Sequence, residues 1–288
     1  MWRGVGFRKR LIAYGCGMLF PCVAAPALLA EPGRELSMSR PEWRLYLPPG
    51  VGVNSAKQID LLVHFHGDPA TVRANVAAAR LNAAVVTANY NGLSSAYRVP
   101  FEDPQRFQAL LDDALNGLQD DAAPGQPVDW GTVCVSSFSA GYGAVRELLK
   151  VPAYIERIDG ILAADSLYAS TDSDGTPVDE QMAGYLAYAR RAVAGGKTFL
   201  LTHTEVPTPT YESTRDTADE ILAALGLEAR SADSAGLGPL TFTRIASAGN
   251  FKLWGSPGET GEAHMQHLRY MAEWLDDLPL AKLPCETP

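Results

Sequence analysis

Short apolar runs alternate with longer amphipathic segments along most of this chain. The runs at 61–65, 83–88, 133–136, 158–164, 198–202 and 240–246 are rich in Val, Ile, Leu, Phe and Ala. Polar or turn residues bound them, which is the pattern of buried strands. An alternating stretch at 43–47 adds a strand, stopped by Pro48-Pro49-Gly50. Segments with helical spacing lie at 69–80, 102–118, 140–150, 178–194, 213–225 and 262–275. Within 102–118, Phe107, Leu110, Leu111, Ala114, Leu115 and Leu118 recur every three or four residues, as one face of a helix requires. Ser213 and Asp216 stand at capping-box spacing. The stretches 89–100 and 121–130 read as loops.

Apolar strands separated by helices predict an α/β fold, a mostly parallel central sheet with helices on both faces. A chain of 288 residues with 47% hydrophobic content can bury one large core. That single domain is expected over 43–280, after a polar linker at 31–42. The segment 166–197 is the natural place for a small cap, with Tyr168, Tyr185 and Tyr188 as candidate pocket residues. In such sheets ligands sit beyond the carboxyl ends of the strands. His66, Asp68, Asn89, Ser139, Asp165, His203 and Glu205 stand at those ends.

The first thirty residues read differently. Arg3, Arg8, Lys9 and Arg10 precede an uncharged, mostly apolar stretch that ends in small residues around Ala25-Pro26-Ala27 and Ala30. That is the pattern of a secretory signal peptide over 1–30, with a retained membrane anchor as the alternative. Export to the periplasm or the medium is the expectation. Cleavage would remove four basic and no acidic residues, taking the net charge from −9 to −13. So acidic a protein is not expected to bind nucleic acid, nor a membrane once the leader is gone. Of four cysteines, Cys16 and Cys22 leave with the leader; Cys134 and Cys285 are expected to be free thiols.

The chemistry concentrates at "CVSSFSAGYGAV", 134–145. A predicted strand runs straight into small residues and then a helix. A turn that displays a hydroxyl between strand and helix must be tight, and its neighbours two residues away must be small. G-x-S-x-G is the usual solution. Here it is Ser137-Phe138-Ser139-Ala140-Gly141, with serine for the first glycine. Ser139 is therefore a candidate nucleophile, against the plainer reading of a helix N-cap.

Three elements in order, Val63-His64-Phe65-His66-Gly67-Asp68, Ser137 to Gly141, and His264, give the chain a resemblance to the α/β-hydrolase family of serine hydrolases over about 43–276. It resembles the exported, esterase-like members of that family. The resemblance implies that His66-Gly67 opens an oxyanion-hole loop, with N–H groups of Ala140 and of Gly67 or Asp68 as donors. It implies a base after the last strand, which is His264; His267, one turn deeper, reads as structural. The acid is Asp165, directly after a strand, with Glu205 as the alternative after the next one. The implied activity is hydrolysis of a small-molecule, carbohydrate or peptide ester through an acyl-enzyme, without a cofactor.

Two other readings compete. His64, His66 and Asp68 form H-x-H-x-D, and strand alternation would point both histidines at one zinc ion. The fold also serves as a non-catalytic binding module in chains that have lost the triad.

Overall fold

A computed structural model describes residues 33–121 and 128–284; the leader reading at 1–30 and Cys285 lie outside them. The chain runs through β1 (Arg34–Leu36), β2 (Trp43–Leu47), β3 (Gln58–Phe65), α1 (Pro69–Ala78) and β4 (Ala83–Ala88). There follow α2 (Ser94–Phe101), α3 (Arg106–Asp121) and β5 (Asp129–Phe138), then a 3-10 turn over Ser139–Gly141. Next come α4 (Tyr142–Leu148), α5 (Pro152–Arg157), β6 (Gly160–Ala164), α6 (Asp179–Val193), β7 (Thr198–His203) and α7 (Thr214–Leu225). The last elements are β8 (Arg230–Ala235), β9 (Thr241–Ala248), β10 (Phe251–Gly255), α8 (Gly261–Arg269) and α9 (Ala272–Leu275).

All ten strands of the described residues join one sheet in the order β1-β2-β4-β3-β5-β6-β7-β10-β9-β8. The six central strands, β4 through β10, run parallel. Antiparallel pairs finish both edges. This is the expected α/β fold, and its physical basis is visible in residue parity. Leu61, Val63, Phe65, Val133, Val135 and Ile161 face one side, where they meet Phe107, Val145, Met182 and Ile221 from α3, α4, α6 and α7. Leu62, Cys134, Leu162 and Leu200 face the other, against Val76, Leu268 and Trp274 from α1, α8 and α9. Both parities are apolar because both faces are covered. Each such fully buried side chain contributes about 1.5–3 kcal/mol over leaving it in water. Cys134 is a buried free thiol within the second layer.

Chain order reverses between β3 and β5. The crossover from β3 goes to β4 on one side, and the next returns to β5 on the other. A crevice opens at the carboxyl ends of two strands at such a switch point.

Several elements depart from the sequence expectation. The linker at 31–42 contains β1, which pairs with β2. The loop at 89–100 contains α2, whose only buried residues are Tyr97 and Phe101, one turn apart. Its Ser94, Ser95 and Pro100 hid the helical period. β8 is an exposed edge strand with no buried residue to announce it, and β10 is five residues long. The helix expected at 262–275 is interrupted between Arg269 and Ala272. The cap expected over 166–197 is largely a layer helix, α6, whose Tyr185 and Tyr188 pack in the core.

Among the described residues, no helix is long and apolar enough to cross a membrane.

Candidate active site

The strand-to-helix turn at Ser139 is as tight as its sequence demands. Phe138 is extended, and Ser139 then takes a left-handed backbone with φ +48. That region is costly for a residue with a Cβ, so the surroundings must hold it. Ser166, just after β6, does so: its hydroxyl donates to the Ser139 carbonyl at 2.9 Å. A Cβ on Gly141 would stand 2.2 Å from the Phe65 carbonyl oxygen, so only glycine lets the new helix pass the end of β3. At Gly143 it would stand 2.3 Å from the Ser94 carbonyl oxygen, and that glycine admits α2.

His264 lies in the first turn of α8, whose N-cap is Thr260. Its Nδ1–H donates to Asp165 Oδ2 at 2.6 Å. Its ring stacks on Phe138, with centroids 4.4 Å apart. Ser139, Ala140 and His264 line the same cavity, of about 740 Å³, together with Tyr142, Tyr168 and Tyr211.

Asp165 follows β6 directly, has φ +45 and is fully buried. Its Oδ1 accepts from the Thr204 N–H at 2.9 Å and from the Thr214 hydroxyl. Its Oδ2 accepts from the Thr204 hydroxyl at 2.8 Å, besides His264. Its own N–H donates to Thr202 Oγ1 at 2.9 Å. Burial alone would raise the carboxyl's pKa. The hydrogen bond from His264, the nearby His267 and His264 rings and the Thr214 hydroxyl outweigh it and hold Asp165 far below the usual carboxylate range. Asp165 is therefore an ionised, immobile acceptor.

The side chains of the remaining sequence candidates have other partners. Glu205 pairs with Arg215, and its N–H is bound to the Gly258 carbonyl. His267 is buried, shares a 2.6 Å hydrogen bond with Thr202 Oγ1, and reaches Ser256 Oγ with its other nitrogen. His203 lies between the Thr204 carbonyl and Arg244. Asn89 accepts the Gly67 N–H at 3.0 Å, so Gly67 is not a free oxyanion donor. Asp68 is exposed and its carboxylate caps α1 through Thr71.

The zinc arrangement does not form. His64 is buried, with Nδ1 on Ser136 Oγ and Nε2 on the His66 carbonyl, both at 2.8 Å. His66 has φ +68, which ends the strand and breaks its side-chain alternation; its Nδ1 meets the Tyr97 hydroxyl at 2.7 Å. Among the described residues no group of three or more His, Cys, Asp or Glu could hold a metal ion. Sequence reasoning missed Ser166, Thr204 and Thr214, hydroxyl residues with no periodic signal. Of the cap tyrosines only Tyr168 lines the cavity; Tyr142 and Tyr211 were not anticipated there.

Burial pushes three histidines, His64, His203 and His267, down to about 4. Each is neutral in the fold and titrates near 6.5 when unfolded. Their stabilisation is complete above pH ~6.5 and is lost as pH falls toward 4, about 3 kcal/mol for each. Urea unfolding measured from pH 7 to pH 4.5 should therefore show stability falling steeply, by roughly 4 kcal/mol per pH unit near pH 5 if all three take up protons. A flat profile between pH 7 and pH 5 contradicts the neutral, buried histidines.

No protein-family model matches the chain, and no curated protein matches it. Among solved structures it is similar to a feruloyl esterase module from Clostridium thermocellum, solved with sinapinate, at 11% identity over 88% of this chain and 91% of that one, with TM-score 0.43. It is also similar to the BES protein from Bacillus cereus, at 9% identity over 87% and 98%, with TM-score 0.49. A third is a dienelactone hydrolase-like promiscuous phosphotriesterase from metagenomic libraries, at 12% identity over 85% and 98%, with TM-score 0.42. At these identities and TM-scores, fold and site rest on this chain's own strand order and side-chain geometry.

Proposed function

We propose that this chain is a serine hydrolase of carboxylic esters working through an acyl-enzyme. The observation that carries the reading is the short His264–Asp165 hydrogen bond beside a serine held at φ +48 on a strand-to-helix turn. An unaided hydroxyl is a poor nucleophile near neutral pH and needs a base in reach. Because Nδ1 of His264 is committed to Asp165, the neutral ring keeps its lone pair on Nε2 for the Ser139 proton.

Ser139 Oγ then attacks the acyl carbonyl, and Asp165 stabilises the imidazolium that forms. The Ala140 N–H, at the start of the turn, receives the oxyanion, with the Asp68 N–H as its partner. One such donor is worth about 10²- to 10³-fold in rate. His264 returns its proton to the leaving alcohol, and water repeats the sequence to release the acid. No step needs a cofactor.

The test is covalent. A fluorophosphonate probe should attach to Ser139 of the native protein. His264→Ala should slow that labelling by about 10⁴-fold or more, because the base is gone. His267→Gln should label normally, while its melting temperature drops through the lost Thr202 and Ser256 hydrogen bonds. No adduct on native, folded protein would favour the non-catalytic binding module. Normal labelling of His264→Ala beside a dead, stable His267→Gln would reverse the two histidines.

A further inference from the structure

Resting on that reading of the site, we propose that the acyl group it accepts carries a carboxylate, bound by Arg146. Tyr142, Gly143, Arg146, Glu147 and Lys150 follow Ser139 at intervals of three and four and all line the cavity. The cavity therefore extends from Ser139 along α4. Side chains on a helix lean toward its N-terminus. Arg146 does so, with its guanidinium over the Tyr142 ring, 4.9 Å from the centroid. The cation thus lies level with Tyr142, in the cavity that Ser139 also lines.

This guanidinium lacks an anion. The acidic neighbour Glu147 is bound to Lys150 at 2.9 Å, and Arg98 across the cavity is bound to Glu102. Among the described residues no carboxylate forms an ion pair with Arg146. Its Nη2 donates to the Tyr168 carbonyl, and its Nε–H is buried without a partner. A half-buried cation held only by a carbonyl and a ring face is poorly compensated for its lost hydration. A carboxylate from the substrate supplies the missing charge in the planar geometry that guanidinium favours. The cation also offsets the field of a chain whose net charge is −9, which otherwise repels anionic esters.

On this proposal the anion lies on the acyl side. His264 stacks on Phe138, the residue before Ser139, and Arg146 lies over Tyr142, three residues after it. The leaving group departs toward His264, which protonates it. The acyl group then extends the other way, along α4. Adipate serves as the probe because a flexible methylene chain joins its ester carbonyl to its free carboxylate.

The test uses a matched pair, p-nitrophenyl hydrogen adipate and methyl p-nitrophenyl adipate, which differ in one charge. The native protein should prefer the free acid by about 10- to 100-fold in kcat/KM, chiefly through KM, the worth of one charge-assisted hydrogen-bonded pair. Arg146→Gln should abolish that ratio, and Arg146→Lys should retain part of it. A native protein that prefers the methyl ester overturns the proposal. So does Arg146→Gln with both rates lowered and the ratio intact, which would make Arg146 a prop for the Tyr168 carbonyl. Failure of the hydrolase reading looks different: neither ester is turned over. Adipate binding to Ser139→Ala, measured by calorimetry with and without Arg146→Gln, then decides the anion site alone. Binding lost with the arginine upholds it, and binding absent or unchanged overturns it.

Discussion

Alanine in place of Ser139 should lower ester hydrolysis by about 10⁴- to 10⁶-fold while leaving circular dichroism and melting temperature nearly unchanged. The substitution removes one oxygen and little else. Ser139 is only half-buried, so no cavity opens in the core. Alanine has a Cβ like serine and meets the same strain at φ +48, so the backbone gains no relief and takes no new cost. The clamp from the Ser166 hydroxyl falls on the backbone carbonyl of residue 139 and survives. The Ala140 N–H and the cavity survive too, and they account for whatever slow hydrolysis remains. Rates on a p-nitrophenyl ester, read beside a thermal melt of the same sample, separate lost chemistry from lost fold. A folded Ser139→Ala protein that keeps native activity sinks the serine mechanism.

What the sequence announced followed from how much apolar side chain each element buries. The central strands were legible because both parities are apolar, as in Leu61, Leu62 and Val63. β8 contributes no buried residue and α2 only two, so pattern alone left both unseen. The turn at Ser139 was legible because its glycine requirement is local: Gly141 has to pass a neighbouring strand, and the sequence records that need. The cradle of Asp165 was not, since Thr202, Thr204 and Thr214 come from β7, the loop after it and the first turn of α7. Their hydroxyls converge only once the sheet is assembled. The zinc reading failed for a similar reason. It assumed that alternation continues through His66, and φ +68 ends the strand there. Arg146 was invisible as a site residue because its significance lies in a missing partner, which no sequence displays.

The choice of acid yields the sharpest comparison of single variants. Asp165→Asn should lower kcat by about 10⁴-fold with little change in KM. The Asp165 carboxylate accepts from four donors, two on each oxygen. An asparagine keeps one acceptor oxygen and turns an NH₂ group toward the other pair. The hydroxyls of Thr204 and Thr214 can rotate away, but the Thr204 N–H is fixed by the backbone. The amide oxygen must therefore face that N–H, which leaves the NH₂ facing His264. The ring can meet a donor only with its Nδ1 lone pair, so its proton moves to Nε2, the nitrogen that has to receive the proton of Ser139. The variant should also lose stability, by about 1.5–3 kcal/mol for charge-assisted bonds turned neutral. Glu205→Gln removes an ion pair with Arg215 whose partners are 28% and 35% exposed, worth about 0–1 kcal/mol, and a 4.0 Å approach to His203, so its rate should stay within a few-fold of native. Both variants are to be assayed on one ester at matched pH. A large loss for Glu205→Gln beside near-native Asp165→Asn would move the acid to the loop after β7. It would also mean that His264 leaves Asp165 when substrate binds, since in the free protein that ring is bonded to no other carboxylate among the described residues.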